Sequence, residues 1–294
     1  MTRPAAPLGA ALARGPLVLD GGLSNELEAQ GCDLSDELWT ARLLAEDPRQ
    51  IEAAHAAYVR AGARVLITAS YQASFEGFAR AGIGRRESEA LFRRSVSLAR
   101  EAAGVRAGAG GVWVAGSVGP YGAVQADRSE YRGRYGLSVR ELAAFHRPRI
   151  EALAGAEPDV LALETVPDVD EAEALLDAVQ GCGLPVWLSY TVEGSRTRAG
   201  QPLADAFAVA AGQDQVIAVG VNCCAAADVG HAIEVASATT GKPVVVYPNS
   251  SESWGPAPGP GWAERGARLI GGCCHVGPDV IAQLAHEPSL STGD

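Results

Sequence analysis

Val216-Ile217-Ala218-Val219-Gly220-Val221, followed at once by Asn222-Cys223-Cys224 and then by the Ala-rich stretch Ala226–Thr239, gives a strand, a polar strand end and a helix in direct succession. A β-branched apolar run of six residues reads as a strand, and the longer Ala/Val/Glu stretch after it as a helix. The unit recurs. Comparable runs stand at Leu17–Asp20, Val65–Ala69, Val112–Ser117, Val160–Glu164, Val186–Tyr190, Val244–Tyr247 and Leu269–Gly272. Helical stretches lie at Arg49–Ala61, Glu87–Ala103, Ser138–Ala154, Asp168–Gln180, Leu203–Ala211 and Gly277–Ala285. Eight strand-then-helix units predict an α/β protein of one domain, a (β/α)8 TIM barrel. A doubly wound open sheet uses the same alternation, but eight repeats favour closure. The seventh repeat departs from the pattern: Trp254-Gly255-Pro256-Ala257-Pro258-Gly259-Pro260-Gly261 is expected to replace most of a helix with a long loop over the active face. Residues 1–14 and 286–294 are expected to be flexible ends of the single 1–294 domain.

The chain has 294 residues, 47 % of them apolar, which is enough for a sizeable core. A net charge of −11 with a single lysine, Lys242, excludes a general binder of nucleic-acid backbones, which needs clustered cations. No apolar run is long enough to span a bilayer, and Met1–Pro16 lacks the charged-then-apolar layout of a signal peptide. A cytoplasmic location is expected, with neither nucleic acid nor membrane as partner. In that compartment the six cysteines stay reduced, so metal binding or catalysis is a better use for them than disulfides.

In such a barrel, functional groups collect at the carboxyl ends of the strands. The polar residues fall there: Asp20-Gly21-Gly22, Thr68-Ala69-Ser70-Tyr71, Ser117 to Gly122, Glu164-Thr165, Asn222-Cys223, Pro248-Asn249-Ser250 and Gly272-Cys273-Cys274. Cys223, Cys273 and Cys274 suit Zn²⁺, which binds thiolates, and three protein ligands leave one tetrahedral position open for chemistry. Consecutive strand residues point to opposite faces, so Cys273 and Cys274 reach one ion only where the strand has ended, and Gly271-Gly272 supply the backbone freedom. Cys32, Cys182 and Cys224 read as small core residues. Asp20 and Glu164 read better as a clamp for a substrate ammonium than as an acid/base pair.

Taken together, Leu19-Asp20-Gly21-Gly22-Leu23-Ser24-Asn25-Glu26-Leu27-Glu28, Leu34-Ser35-Asp36-Glu37-Leu38-Trp39, Thr68 to Phe78, Gly116 to Ala123, Glu164-Thr165, Gly220-Val221-Asn222-Cys223 and Gly271-Gly272-Cys273-Cys274 span nearly the whole chain. The chain resembles the zinc-dependent homocysteine S-methyltransferases, in the short form that uses S-methylmethionine or S-adenosylmethionine and makes methionine. The resemblance implies that Cys223, Cys273 and Cys274 hold Zn²⁺, and that Asp20, Gly21, Gly22 and Glu164 hold the amino-acid end of homocysteine. It places Thr68 and Tyr71 beside the substrate, with Asn222 and Asn249 as further substrate contacts. Two positions depart from the family pattern: Ser24-Asn25 stands where a small residue and Thr are common, and His275 where Arg is common. The betaine-using branch has a C-terminal extension, whereas this chain stops soon after the Cys pair. A self-contained monomer or small homo-oligomer acting on small molecules is therefore expected.

The chemistry accords with these residues. A free thiol of pKa about 8.5 is only roughly 3 % thiolate at pH 7, and a metal ion deprotonates a coordinated thiol outright. Three thiolates and the ion sum to −1, and the substrate thiolate brings this to −2, which draws in a cationic sulfonium. Tyr71, Phe75, Tyr121 and Trp254 are candidates for the sulfonium pocket by cation–π attraction. Two other readings use the same thiols. Zinc-assisted hydrolysis suffers from strong thiolate donation and the lack of a His-Glu-x-x-His motif. A closed structural site needs a fourth ligand, Cys224 or His275.

Overall fold

The structure is a computed structural model that describes residues 3–35, 38, 40–104, 111–250 and 258–290. Its strands are β1 (Leu17–Val18), β2 (Val65–Ile67), β3 (Trp113–Val118), β4 (Val160–Val166), β5 (Val186–Tyr190), β6 (Val192–Glu193), β7 (Arg196–Thr197), β8 (Val216–Asn222), β9 (Val244–Tyr247) and β10 (Ala267–Ile270). Its helices are α1 (Leu8–Leu12), α2 (Leu23–Ala29), α3 (Thr40–Glu46), α4 (Pro48–Arg60), α5 (Phe75–Arg80), α6 (Arg85–Ala103), α7 (Val139–Ala154), α8 (Val169–Ala178), α9 (Leu203–Ala208), α10 (Ala226–Thr240), α11 (Pro258–Glu264) and α12 (Pro278–Ala285). Each apolar run forms its expected strand, and the six long helices end within a few residues of their sequence limits.

Eight strands pair in parallel in the order β1-β10-β9-β8-β5-β4-β3-β2. The two ends of that sheet meet through a parallel bridge between Leu19 and Val65, so it curls into a nearly closed barrel rather than an open sheet. At this seam Arg64 N–H donates to the Val18 carbonyl at 2.8 Å and Asp20 N–H to the Val65 carbonyl at 3.1 Å. One rung further on, the Asp20 carboxylate accepts from Ile67 N–H at 2.8 Å, a side chain standing where the next carbonyl would be.

Strand alternation decides what fills the barrel. Leu17 and Leu19, Trp113 and Ala115, Val160 and Ala162, Trp187, Ala218, Val245 and Leu269 form the interior cluster. Leu66, Val114, Leu161, Leu163, Leu188 and Val219 point outward into the cluster shared with the helices. Two residues beyond the interior set, the same period brings Ser117, Glu164, Ser189 and Tyr247 to the top, and two residues beyond Gly220 it brings Asn222. The uppermost interior layer is therefore polar and buried.

At the opposite end, residues 7–14 of the segment expected to be a flexible end are packed against the barrel. Helix α1 buries Leu8, Ala11 and Leu12 against the interior cluster, and Trp113 Nε1 donates to the Ala6 carbonyl at 3.0 Å. The apolar spacing of Leu8, Ala11 and Leu12 is one helical face, and the barrel floor is the surface it covers. At the C-terminus, Leu290 is buried, so the chain stays attached at least that far. In the seventh repeat, residues 254–257 lie outside the described residues, but Pro258–Glu264 form the short helix α11 instead of continuing a loop. Both Pro258 and Pro260 fall in its first turn, where backbone N–H groups have no intrahelical acceptor to lose. Helices α2, α3 and α5 and the β6–β7 hairpin are further additions to the simple repeat, inserted between a strand and its following helix. Among the described residues no helix is long and apolar enough to cross a membrane.

Truncating a plug residue tests the floor. Leu12 is 1 % exposed, so Leu12→Ala is expected to cost about 2–4 kcal/mol in urea unfolding with little change in the m-value.

Candidate active site

The thiols reach one another because the backbone leaves strand geometry at each of them. Cys223 follows β8 with a left-handed φ of +50°, a conformation that costs a non-glycine residue on the order of 1 kcal/mol or more. It is held on both sides: its N–H donates to the Tyr247 carbonyl at 3.2 Å, and its own carbonyl accepts from Thr191 Oγ1 at 3.1 Å. Strand β10 has ended at Ile270, so Cys273 and Cys274 lie on a turn. Cys273 N–H donates to the Pro248 carbonyl at 2.8 Å and Cys274 N–H to Asn249 Oδ1 at 3.2 Å. His275, at φ +62°, completes the turn and donates its N–H to Asn25 Oδ1 at 2.7 Å.

The three Sγ atoms lie within 4.8 Å of one another, with Cys223 and Cys274 3.6 Å apart. Tetrahedral ligation at about 2.3 Å per sulfur places sulfurs about 3.8 Å apart, so the set fits a thiophilic divalent ion. Hydrogen bonds from its two neighbours hold the Cys274 thiol well below the ordinary range, while clustering and burial hold Cys273 above it. Cys224 is buried in the outer core, Cys32 and Cys182 are elsewhere and half-buried, and the His275 ring contacts Asn25 outside the cluster. Among the described residues the cluster has three ligands and no fourth, which leaves the open corner of a reactive site rather than a closed structural one.

Gly21 and Gly22 permit the approach of this turn to β1. A Cβ on Gly21 would lie 2.3 Å from the Val276 carbonyl oxygen, and one on Gly22 2.5 Å from that of Cys273. Gly22 N–H donates to the Val276 carbonyl at 2.9 Å, and the buried Tyr58 hydroxyl donates to the carbonyls of both Gly22 and Val276.

A cavity beside the thiols is lined by Asp20, Gly21, Gly22, Thr68, Tyr71 and Glu164 from the sequence-derived set, together with Cys223, Cys273 and Cys274. Glu164 accepts from Ser117 Oγ through Oε1 and from the Tyr247 hydroxyl at 2.9 Å through Oε2. Burial pushes its pKa up from 4.5 to about 7, against the opposing pull of these two hydrogen bonds and of Arg149. Asp20 is also raised well above the usual carboxylate range, by burial first and by the Glu164 charge as well, against the Ile67 N–H. Its Oδ1 is buried with no hydrogen-bond partner. Among the described residues neither carboxylate forms an ion pair, and two buried carboxylates so placed call for a positive group from a ligand.

Asn222 and Asn249 do not line the cavity. Asn222 Oδ1 accepts from Thr165 N–H at 2.7 Å and Ser189 Oγ at 2.8 Å, and Nδ2 donates to Thr165 Oγ1 at 2.7 Å. Thr165 has φ +57°, a genuine outlier for a β-branched residue, and this amide holds it there. Asn249 fixes the Cys274 backbone. Thr68 Oγ1 accepts from Ser117 N–H at 3.0 Å and pairs with Ser70 Oγ at 2.7 Å. Of the aromatic candidates, Tyr71 lines the cavity, Phe75 packs on Phe92, Tyr121 packs on Tyr135 and Phe145, and Trp254 lies outside the described residues. Sequence reasoning missed Glu130 and Tyr131, which line the cavity from the β3–α7 connection, with the Tyr131 hydroxyl 3.0 Å from Cys223 Sγ. The signal was the length of that connection, since long loops inside a compact barrel tend to carry function.

Fold and rim define a (β/α)8 barrel with three converging thiols, able to hold a metal ion, next to two buried carboxylates. The profile of the homocysteine S-methyltransferase family matches residues 17–287. The chain is 45 % identical to Homocysteine S-methyltransferase of Escherichia coli strain K12, over 91 % of this chain and 94 % of that protein. It is 43 % identical to Homocysteine S-methyltransferase 4 of Zea mays, over 93 % and 89 %. Among solved structures, the metallated form of the homocysteine methyltransferase MmuM from Escherichia coli superposes with a TM-score of 0.89 at 46 % identity, over 95 % of this chain and 99 % of that one. The chain belongs to the homocysteine S-methyltransferase family.

Removing one sulfur tests the centre. Cys273→Ser is expected to drop the bound divalent ion from about one per chain to well below half, measured by elemental analysis after dialysis. Cys182→Ser should retain the ion.

Proposed function

We propose that this chain transfers a methyl group from S-methylmethionine, or from S-adenosylmethionine, to homocysteine, giving methionine, with Zn²⁺ held by Cys223, Cys273 and Cys274. The observation that carries this reading is the common cavity: three converging thiols with an open corner, and Asp20 and Glu164 buried beside them with no ion-pair partner among the described residues. When bound, the ion supplies a Lewis acid that makes an incoming thiol a thiolate at neutral pH.

The protein's own residues do the rest. Asp20 Oδ1 is free to accept from the homocysteine ammonium, and Glu164 adds negative charge from the neighbouring strand end. Ser117 and Tyr247 fix the Glu164 carboxylate, and Trp187 and Ser189 in turn fix the Tyr247 hydroxyl, at 3.2 and 2.8 Å. Anchoring the amino end aims the side-chain sulfur at the thiols, so the reaction depends chiefly on orientation. In the transfer, homocysteine sulfur forms a bond to the methyl carbon while the donor S–CH₃ bond breaks and its electron pair stays on the donor sulfur. The thiol proton leaves to solvent before this, and no side chain needs to remove a proton from the methyl group. A sulfonium suits the site because the surroundings are anionic and the donor becomes neutral as the methyl departs. A thiol centre of this kind belongs in a reducing compartment, and we place the enzyme in the cytoplasm as a monomer or small homo-oligomer.

Methionine formation from homocysteine and each sulfonium, followed by chromatography with zinc-loaded protein, is the direct test. Turnover with at least one donor is expected, and zinc-replete protein inactive with both would overturn the reading.

A pH profile tests the clamp. Glu164 is charged above about 7 and neutral below it, so kcat/KM for homocysteine should fall as pH drops through 7, approaching tenfold per pH unit. Glu164→Gln should lose at least 100-fold in kcat/KM and show no such limb. The folded-state pKa lies above the unfolded value, so ionising Glu164 weakens folding as pH rises from about 4.5 to 7, by about 3 kcal/mol in all. Glu164→Gln should accordingly unfold at a higher temperature than wild type at pH 8, with the difference shrinking towards pH 5.

A further inference from the structure

The reaction as described leaves one carboxylate in the cavity without a partner. Glu130 lines the same space as the thiols, Asp20 and Glu164, and its Oε2 is buried with no hydrogen-bond partner. We propose that Glu130 receives the ammonium group of the sulfonium donor, so that the turn Ser129–Tyr131 forms the donor's subsite. This rests on the methyl-transfer reading above and goes beyond it by assigning the second substrate's position.

Glu130 sits on a fixed support. Ala126 and Arg128 precede it with left-handed φ values of +55° and +62°. Ser129 N–H donates to Asp127 Oδ1 at 3.0 Å, and Tyr131 N–H to the Arg128 carbonyl at 3.2 Å. Gly122 lies so close beneath that a Cβ there would be 2.4 Å from Glu130 N. The Tyr131 hydroxyl, 3.0 Å from Cys223 Sγ, sets the spacing between this turn and the thiols.

Position separates Glu130 from the other two carboxylates. Asp20 and Glu164 stand at strand ends, and the Glu164 charge acts on Asp20. The charges acting on Glu130 are those of Asp127 and Arg128 in its own connection and of Cys274. The cavity thus has one anionic pair rooted in the strand ends and a further carboxylate rooted in the β3–α7 connection. Homocysteine brings a single ammonium, which the barrel pair takes. In-line displacement sets the donor sulfur opposite the homocysteine sulfur across the methyl carbon, so the donor's ammonium needs an anionic partner of its own, and Glu130 is the carboxylate of this cavity left for it.

The donor offers two positive groups, and energetics choose between them. The sulfonium charge vanishes as the methyl leaves, so a carboxylate pressed against it would stabilise the ground state more than the transition state. The ammonium keeps its charge throughout, so a carboxylate there contributes uniform binding, which is read in KM and not in kcat.

Steady-state kinetics on the zinc-loaded enzyme with Glu130→Gln and Glu130→Asp test this. Glu130→Gln is expected to raise KM for S-methylmethionine at least tenfold, with kcat and the homocysteine KM within twofold of wild type, and Glu130→Asp to recover part of the loss. Dimethylsulfoniopropionate, a sulfonium without the amine, should inhibit wild type and Glu130→Gln equally. Transfer by the wild type with an unmoved donor KM in Glu130→Gln, or an equal loss for both substrates and for dimethylsulfoniopropionate, would overturn the inference alone. A wild type that transfers from neither sulfonium overturns the reaction and the inference with it.

Discussion

The side-chain amide of Asn222 is the interaction on which the mouth of the barrel depends. It accepts from Thr165 and Ser189 and donates back to Thr165, tying three neighbouring strands at the level where their ladders end. It also pins Thr165 in a backbone conformation that a β-branched residue avoids. One residue further along, Cys223 takes its own left-handed turn towards the other sulfurs. Side-chain hydrogen bonds in a dry setting hold this strained backbone, and each costs little to keep because every partner is itself buried and satisfied.

A second constraint is electrostatic. The top of the barrel gathers Glu164, Asp20 and three thiols in a space that water reaches poorly, and Arg149 is the only cation among the groups that lower Glu164. Such an arrangement is unfavourable for the folded chain by itself and favourable once cations arrive. Stability is thus exchanged for affinity at the site, a common feature of binding centres. The surrounding layers absorb this cost: the barrel interior, the outer helical cluster and the α1 plug are almost wholly apolar.

Much of this could be read from the chain because the governing patterns are local. Eight continuous apolar runs each made a strand, and long amphipathic stretches such as 87–103 and 138–154 made helices. Short helices escaped: α2, α3 and α5 have too few residues for a period to show, and α11 hid behind prolines that its first turn tolerates. At the site, the acids were legible because alternation and strand polarity fix where they point, and the thiols because strand polarity brings both strand ends to one rim and glycines precede the Cys pair. Asn222 and Asn249 carry amides that any ligand could use, and only their cross-strand neighbours reveal that the protein has already engaged them. Glu130 and Tyr131 lie in a polar connection with no strand to orient them, so their approach to Cys223 and Cys274 is a property of the fold alone.

The helix beneath the barrel has a consequence for traffic. With Leu8 and Leu12 sealing the floor and large side chains such as Trp113 and Trp187 filling the space above them, the barrel carries no passage along its axis, and a ligand reaches the cavity from the rim side.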